Sequence, residues 1–160
     1  MNRQIQAEAS SSQLYLSMAS WAEVEGINGT AEFLYRHSDE ERQHMLKLVK
    51  FVNERGGQAI IPKLDAPKSD FQSLKQVFDS LLEHELMVTN MINEIVHICL
   101  EEKDYTTHNF MQWFVAEQLE EEALARELVD RLKLIGDDKG GLYLFDRDLL
   151  QLEAQDTPEA

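Results

Sequence analysis

Cysteine occurs once in this chain, at Cys99, which excludes an internal disulfide and any Cys-x-x-Cys metal knuckle. Proline occurs three times and glycine seven, too few for a loop-rich or low-complexity protein. No apolar run approaches the eighteen or so residues of a membrane span, and the opening Met1-Asn2-Arg3-Gln4-Ile5 lacks a signal-peptide apolar core. Basic residues are also scarce. There are 15 against 30 acidic ones, a formal net charge of −15, so a nucleic-acid phosphate backbone or an anionic membrane is repelled. The expectation is a cytoplasmic protein of a reducing interior, with no nucleic-acid and no membrane partner, whose natural partners are cations. Metal ions are the smallest of these.

What is present is a chain of 160 residues, enough for one compact core, with long runs rich in Glu, Leu, Ala, Lys and Gln. These residues lose little rotamer freedom in a helix, so an all-α fold is expected. The spacing predicts helices over Met1 to about Glu25, Thr30 to Arg55, Ser73 to Lys103 and Thr107 to Ile135, each with an apolar residue every three or four positions. Gly26-Ile27-Asn28-Gly29, Gly56-Gly57 and Gly136 punctuate them. The connection from Gly57 to Asp70 is long, holds two prolines and carries apolar side chains that suggest it lies along the surface. In a four-helix bundle such a link suits a crossover between two parallel helices. A short fifth helix, Leu142 to Leu152, capped by Asp146, and a frayed tail from Glu153 to Ala160 complete the expectation.

Chemistry enters through residues that break the apolar stripes. Glu41 and His44, three apart, share one helix face and can aim at one point. Alone, such a pair is more often a solvated helix surface. Yet Glu8, Glu85 and Glu121 interrupt the other three stripes at about the same height, with Gln118 one turn before Glu121. Four converging carboxylates in a low-dielectric core require something positive to hold them. An oxygen-rich set with one imidazole and no thiolate suits iron or manganese. Glu8, Glu41 and His44 would hold a first ion, and Glu41, Glu85 and Glu121 a second, with Glu41 shared. Bundles that hold two metals symmetrically carry Glu-x-x-His on two helices. Here the fourth helix offers Gln118-x-x-Glu121, which predicts a weaker second position suited to transit. Glu40, Glu117 and Glu120 flank the site and can hold a third, outer ion with Glu121, whereas Glu122 reads as solvated surface.

Glu8 with Tyr15, the block Arg36-His37-Ser38-Asp39-Glu40-Glu41-Arg42-Gln43-His44, the block from Asn109 to Glu122, and the ending Gly141-Leu142-Tyr143-Leu144-Phe145-Asp146 together resemble the bacterial non-haem ferritins. The resemblance covers essentially the whole chain. It implies a single ferritin-like domain over 1–160 and a cage of twenty-four identical subunits. It also implies a ferroxidase that oxidises Fe(II) with dioxygen or hydrogen peroxide and stores a ferric mineral inside. Glu8, Glu41 and His44 match the first iron position of that family; Glu41, Glu85 and Glu121 match the second, with Gln118 beside it. Glu40, Glu117, Glu120 and Glu121 match a third. Tyr15 and Trp113 match aromatic residues near the centre and are candidate electron donors, with core packing an equally good account of both. Arg42 stands where haem-binding bacterioferritins place their haem-ligating Met, so no haem is expected. His108 and Met111 replace the acidic entry-pore residues of animal ferritins and leave the entry route open. The chain begins several residues later than its relatives, so the first turn of helix one is expected to be missing or the start site misplaced.

The alternative is a soluble di-iron oxidase or peroxidase that retains its metals and never mineralises. A rubrerythrin-type electron-transfer domain is excluded by the single cysteine. A third possibility is an acidic helical scaffold that binds no metal. Cys99 reads as a small buried hydrophobe and His37 as a structural neighbour of Glu41.

Overall fold

The computed structural model describes residues 1–156 and is helical almost throughout: α1 Asn2–Val24, α2 Asn28–Glu54, α3 Leu74–Glu101, α4 Tyr105–Ile135 and α5 Lys139–Asp156. The all-α expectation holds. Short turns join α1 to α2 and α3 to α4, so each pair packs as an antiparallel hairpin, while residues 55–73 carry the chain between the hairpins. That crossover is tied to α1 at both ends. The Ile60 amide donates to Asn2 Oδ1 at 3.1 Å, and Ser17 Oγ donates to the Lys68 carbonyl at 2.8 Å. Phe71 at its end is buried in the core, although Ile60 and Ile61 face outward. Among the described residues, no helix is long and apolar enough to cross a membrane.

Helix ends explain where the boundaries depart from expectation. Ser73 caps α3 by accepting from the Gln76 amide, and Asp104 caps α4 by accepting from the Thr107 amide at 3.1 Å. The first turn of α2 has no local cap, and its donors are satisfied from far along the chain. Asp146 accepts from the Gly29 and Thr30 amides at 3.1 and 2.6 Å and from the Thr30 hydroxyl at 3.0 Å. This corrects two expectations. Helix α2 starts at Asn28 because the cap comes from elsewhere, and Asp146 lies inside α5 and caps α2. Helix α5 itself starts at Lys139, where Asp138 Oδ2 accepts from the Gly141 amide at 2.6 Å. Gly140 and Gly141 are therefore helical despite reading as loop, and the helix continues to Asp156. Residues 157–160 of the tail expected to fray lie outside the described residues.

Two apolar clusters fill the bundle. One joins Tyr15, Met18, Phe33, Leu34, Phe78, Leu81, Leu128 and Leu132 to Phe145 and Leu149 of α5. The other joins Ile5, Leu48, Val88, Ile92, Met111 and Phe114 at the opposite end. Between them every long helix buries polar side chains: Glu8, Ser11 and Ser12; His37, Ser38, Glu41 and His44; Glu85; Gln118. The bundle thus has a polar waist between two apolar ends. Ser12 and Ser38 bolt α1 to α2 there, each hydroxyl donating to the other residue's carbonyl at 2.7 Å.

Candidate metal centre

Glu8, Glu41 and His44 are all buried, and each offers a ligand atom within 4.8 Å of the others. Helix periodicity places Glu41 and His44 on one face of α2, and the serine bolt sets α1 in register so that Glu8 faces them. His44 Nδ1 lies 4.0 Å from Glu8 Oε2 and 3.8 Å from Glu41 Oε2. Glu41 Oε2 is buried without a hydrogen-bond partner. A buried acceptor left unsatisfied in this way is costly and points to an occupant that supplies positive charge.

The electrostatics agree. Burial, and then the charge of Glu41, pushes the Glu8 carboxyl well above its ordinary range. Burial pushes Glu41 up as well. An entering cation that pairs with both carboxylates relieves the cost that burial places on their charged forms. Gln4, fully buried one turn before Glu8, donates to Glu8 Oε1 at 2.8 Å. Sequence reasoning passed over Gln4, although its i, i−4 spacing from Glu8 was the available signal.

Glu85 enters the waist from α3 but does not complete a ligand group with Glu41 and Glu121 at the same separation. The Tyr15 hydroxyl donates to Glu85 Oε1, and Gln118 Nε2 donates to Oε2 at 2.5 Å and to the Glu85 carbonyl at 3.1 Å. Burial raises the Tyr15 phenol well above its usual value, and the Glu85 charge adds to this. Beside Tyr15, the ring of His84 accepts or donates a hydrogen bond with Ser11 Oγ at 2.8 Å, and burial lowers its pKa to about 4.

Glu121 belongs to a second group, with His37 and Glu40. His37 Nε2 stands 3.8 Å from Glu121 Oε2, and His37 Nδ1 stands 3.8 Å from Glu40 Oε2. Burial pushes Glu121 up to about 8, with the charges of Glu85, Glu40, Glu117 and Glu120 adding to it. Burial lowers His37 to about 4. A cavity of about 400 Å³ opens here, lined by Phe33, Arg36, His37, Glu40, Glu117, Glu120, Glu121 and Leu124. The four carboxylates expected around an outer ion all line it. His37 joins them, a partner that its position one turn before Glu41 did not disclose. Glu117 also reaches inward, with Oε1 4.0 Å from His44 Nε2. Glu122 is not merely solvated surface: it accepts from Thr89 Oγ1 at 2.6 Å and pairs with Arg126. Trp113 packs edge-on against His44 with ring centroids 5.2 Å apart, and Lys47 Nζ sits 3.3 Å above its ring.

A four-helix bundle with carboxylates from several helices and a histidine converging on a buried waist defines a class of helical metal-centre proteins. A family profile described as a ferritin-like domain matches residues 1–135. The chain is 45% identical over 155 residues to a probable bacterial non-heme ferritin-like protein of Haemophilus influenzae, spanning 97% of this chain and 94% of that one. It is 44% identical over 147 residues to the bacterial non-heme ferritin of Campylobacter jejuni, with 92% and 88% covered. Among solved structures, an open pore ferritin from the archaeon Archaeoglobus fulgidus superposes with a TM-score of 0.91 at 44% identity, covering 93% of this chain and 92% of that one. The chain belongs to the ferritin family, with bacterial non-haem ferritins among its relatives.

Proposed function

We propose that the protein is an iron-storage ferroxidase, which takes up Fe(II), oxidises it at the waist and deposits ferric oxide-hydroxide inside a cage of twenty-four subunits in the cytoplasm. The convergence of Glu8, Glu41 and His44 around an unsatisfied buried carboxylate oxygen supports this reading most directly. Hard oxygen donors with one imidazole suit Fe(II), and the anionic site favours the more highly charged Fe(III) that forms there. In this reading Glu41 is shared by two ions, and Glu85 and Glu121, which stand in separate surroundings in the structure, must close on the second ion as it enters. Two adjacent ferrous ions each give one electron to the same dioxygen, and hydrogen peroxide is an alternative two-electron acceptor. The outer cavity, with Glu40, Glu117, Glu120, Glu121 and His37, offers a holding point for a third ion close to the centre. Tyr15 and Trp113 lie near enough to supply electrons during oxygen reduction.

The test is an oxygen-uptake titration with Fe(II), read alongside ferric absorbance and particle size. Ferric absorbance is expected to grow well past two irons per subunit, in a particle of several hundred kilodaltons. Saturation at two irons in a dimeric particle sinks the storage reading and leaves an oxidase that keeps its metals.

A further inference from the structure

The terminal carboxylates of the centre differ in how many of their oxygens are already taken. Glu8 gives Oε1 to the Gln4 amide, while its Oε2 faces His44 at 4.0 Å. Glu85 gives both: Tyr15 donates to Oε1 and Gln118 to Oε2. The orientation of the Gln118 amide is fixed by chemistry, because both atoms facing that nitrogen, Glu85 Oε2 and the Glu85 carbonyl, are acceptors. Tyr15, Glu85 and Gln118 are all buried, so water does not readily replace either donor. The same asymmetry appears in the ligand groups, where Glu8, Glu41 and His44 stand together and Glu85 stands outside.

We propose that Gln118 is a positioning residue that clasps Glu85, so that a second ion is admitted only by breaking the amide's hold on the carboxylate. The proposal rests on the assignment of the waist as an iron centre. The first position fills from a ready triad. The second binds more weakly by the worth of the displaced hydrogen bonds, and Gln118 draws Glu85 back once the oxidised ion leaves. A clasp of this kind makes the second position a place of transit without removing any ligand from it.

Zn(II), which does not oxidise, tests the clasp by calorimetric titration of the assembled, iron-stripped protein in a Glu40→Gln/Glu120→Gln background that breaks the outer group of His37, Glu40 and Glu121. The parent is expected to bind two unequal equivalents per subunit. In Gln118→Leu, which removes the donor, the second equivalent should tighten by about tenfold or more, the factor carried by a charge-assisted hydrogen bond, with the first unchanged. Gln118→Asn, whose shorter side chain withdraws the same amide, should act likewise and serves if the leucine variant does not fold. Tyr15→Phe, which frees the other oxygen, should tighten the second equivalent further in combination. An unchanged second equivalent in the Gln118 variants overturns the clasp, and a weakened one overturns it by making Gln118 a ligand. If the parent binds no Zn(II) at all, the iron centre itself fails and takes the clasp with it.

Discussion

The end of the bundle that holds α5 and its waist are built from opposite materials, and each tolerates what the other does not. Around Phe78 the side chains are apolar and fully enclosed, with Phe33 and Phe145 rings 6.0 and 5.5 Å away. A few helical turns away, Glu8, Glu41 and Glu85 are just as buried, and their surroundings disfavour their charged forms. The apolar ends therefore supply stability that the waist consumes. Removing the characteristic group at each place, an aromatic ring at one and a carboxylate charge at the other, should move stability in different directions. Phe78→Ala should lower the unfolding free energy by about 3–5 kcal/mol through lost burial and a residual cavity, read as a shift in the urea midpoint. Iron oxidation per folded subunit should persist, because no atom of the centre is touched. A Phe78→Ala protein of unchanged midpoint would mean that the α5 end is not the stabilising half.

Glu41→Gln is the counterpart in the waist. It keeps the volume, removes the charge that burial opposes, and under the proposed function takes away the ligand that the two ions would share. Initial Fe(II) oxidation should fall by about two orders of magnitude, the usual scale for loss of a central electrostatic group. The iron-stripped protein should unfold at the same urea concentration as its parent, or a higher one, at neutral pH. Loss of both activity and stability would show that Glu41 is held by fixed donors, and would contradict the unsatisfied oxygen seen at Oε2.

The waist was legible in the chain because its signal is local. A carboxylate in the middle of each apolar stripe needs only helical periodicity to be noticed, and Glu8, Glu41, His44, Glu85, Gln118 and Glu121 all came from that reasoning. Direction was not legible. Nothing in the spacing of Gln118 shows that its amide points its nitrogen at Glu85, or that His37 faces Glu121 as well as its own helix. The α5 end was read less well, since its key contact joins Asp146 to Gly29 and Thr30 across more than a hundred residues. An aspartate just inside a helical pattern looks like that helix's own cap, and only the fold reveals that it serves another.

That contact offers a sharper cut between the two regions. A Cβ on Gly29 would stand 1.9 Å from the Asp146 carbonyl oxygen and 2.8 Å from its carbon, both backbone atoms that cannot swing aside. Gly29→Ala must therefore push α5 away from α2 or distort the first turn of α2. A loss of about 1–3 kcal/mol is expected from the overpacking, with about 1 kcal/mol more if the Asp146 cap is broken. Asp146→Ala should reproduce only the smaller part. Zn(II) binding at the waist should be unaffected in both. A Gly29→Ala change that weakens the Glu8, Glu41 and His44 position would show that α5 docking sets the α1–α2 register, a task assigned above to Ser12 and Ser38.

The smallest effect lies within the waist, where His37 and Glu121 face each other with pKa values displaced in opposite directions. Burial raises Glu121 from an ordinary 4.5 to about 8. Its contribution to folding is thus complete below pH 4.5 and is lost as pH rises through about 8. Burial lowers His37 from an ordinary 6.5 to about 4. Its contribution is complete above pH 6.5 and is lost as pH falls through about 4. One group can tilt the stability by at most about 1.4 kcal/mol per pH unit, and Glu121 retains 14% side-chain exposure, so about 1 kcal/mol or less per unit is expected. Between pH 4.5 and 6.5 the two slopes oppose, so urea midpoints of the iron-stripped protein should stay nearly level there and fall only from pH 6.5 to 8, where Glu121 acts alone. Glu121→Gln should flatten the alkaline limb and unmask a rise between pH 4.5 and 6.5, while His37→Gln should extend the alkaline fall down to pH 4.5. Zn(II) should flatten the alkaline limb in the parent as well, because a cation favours the charged carboxylate that burial opposes. If Zn(II) leaves that limb unchanged while Glu121→Gln removes it, Glu121 titrates without meeting the metal, and the outer cavity is not where a cation rests.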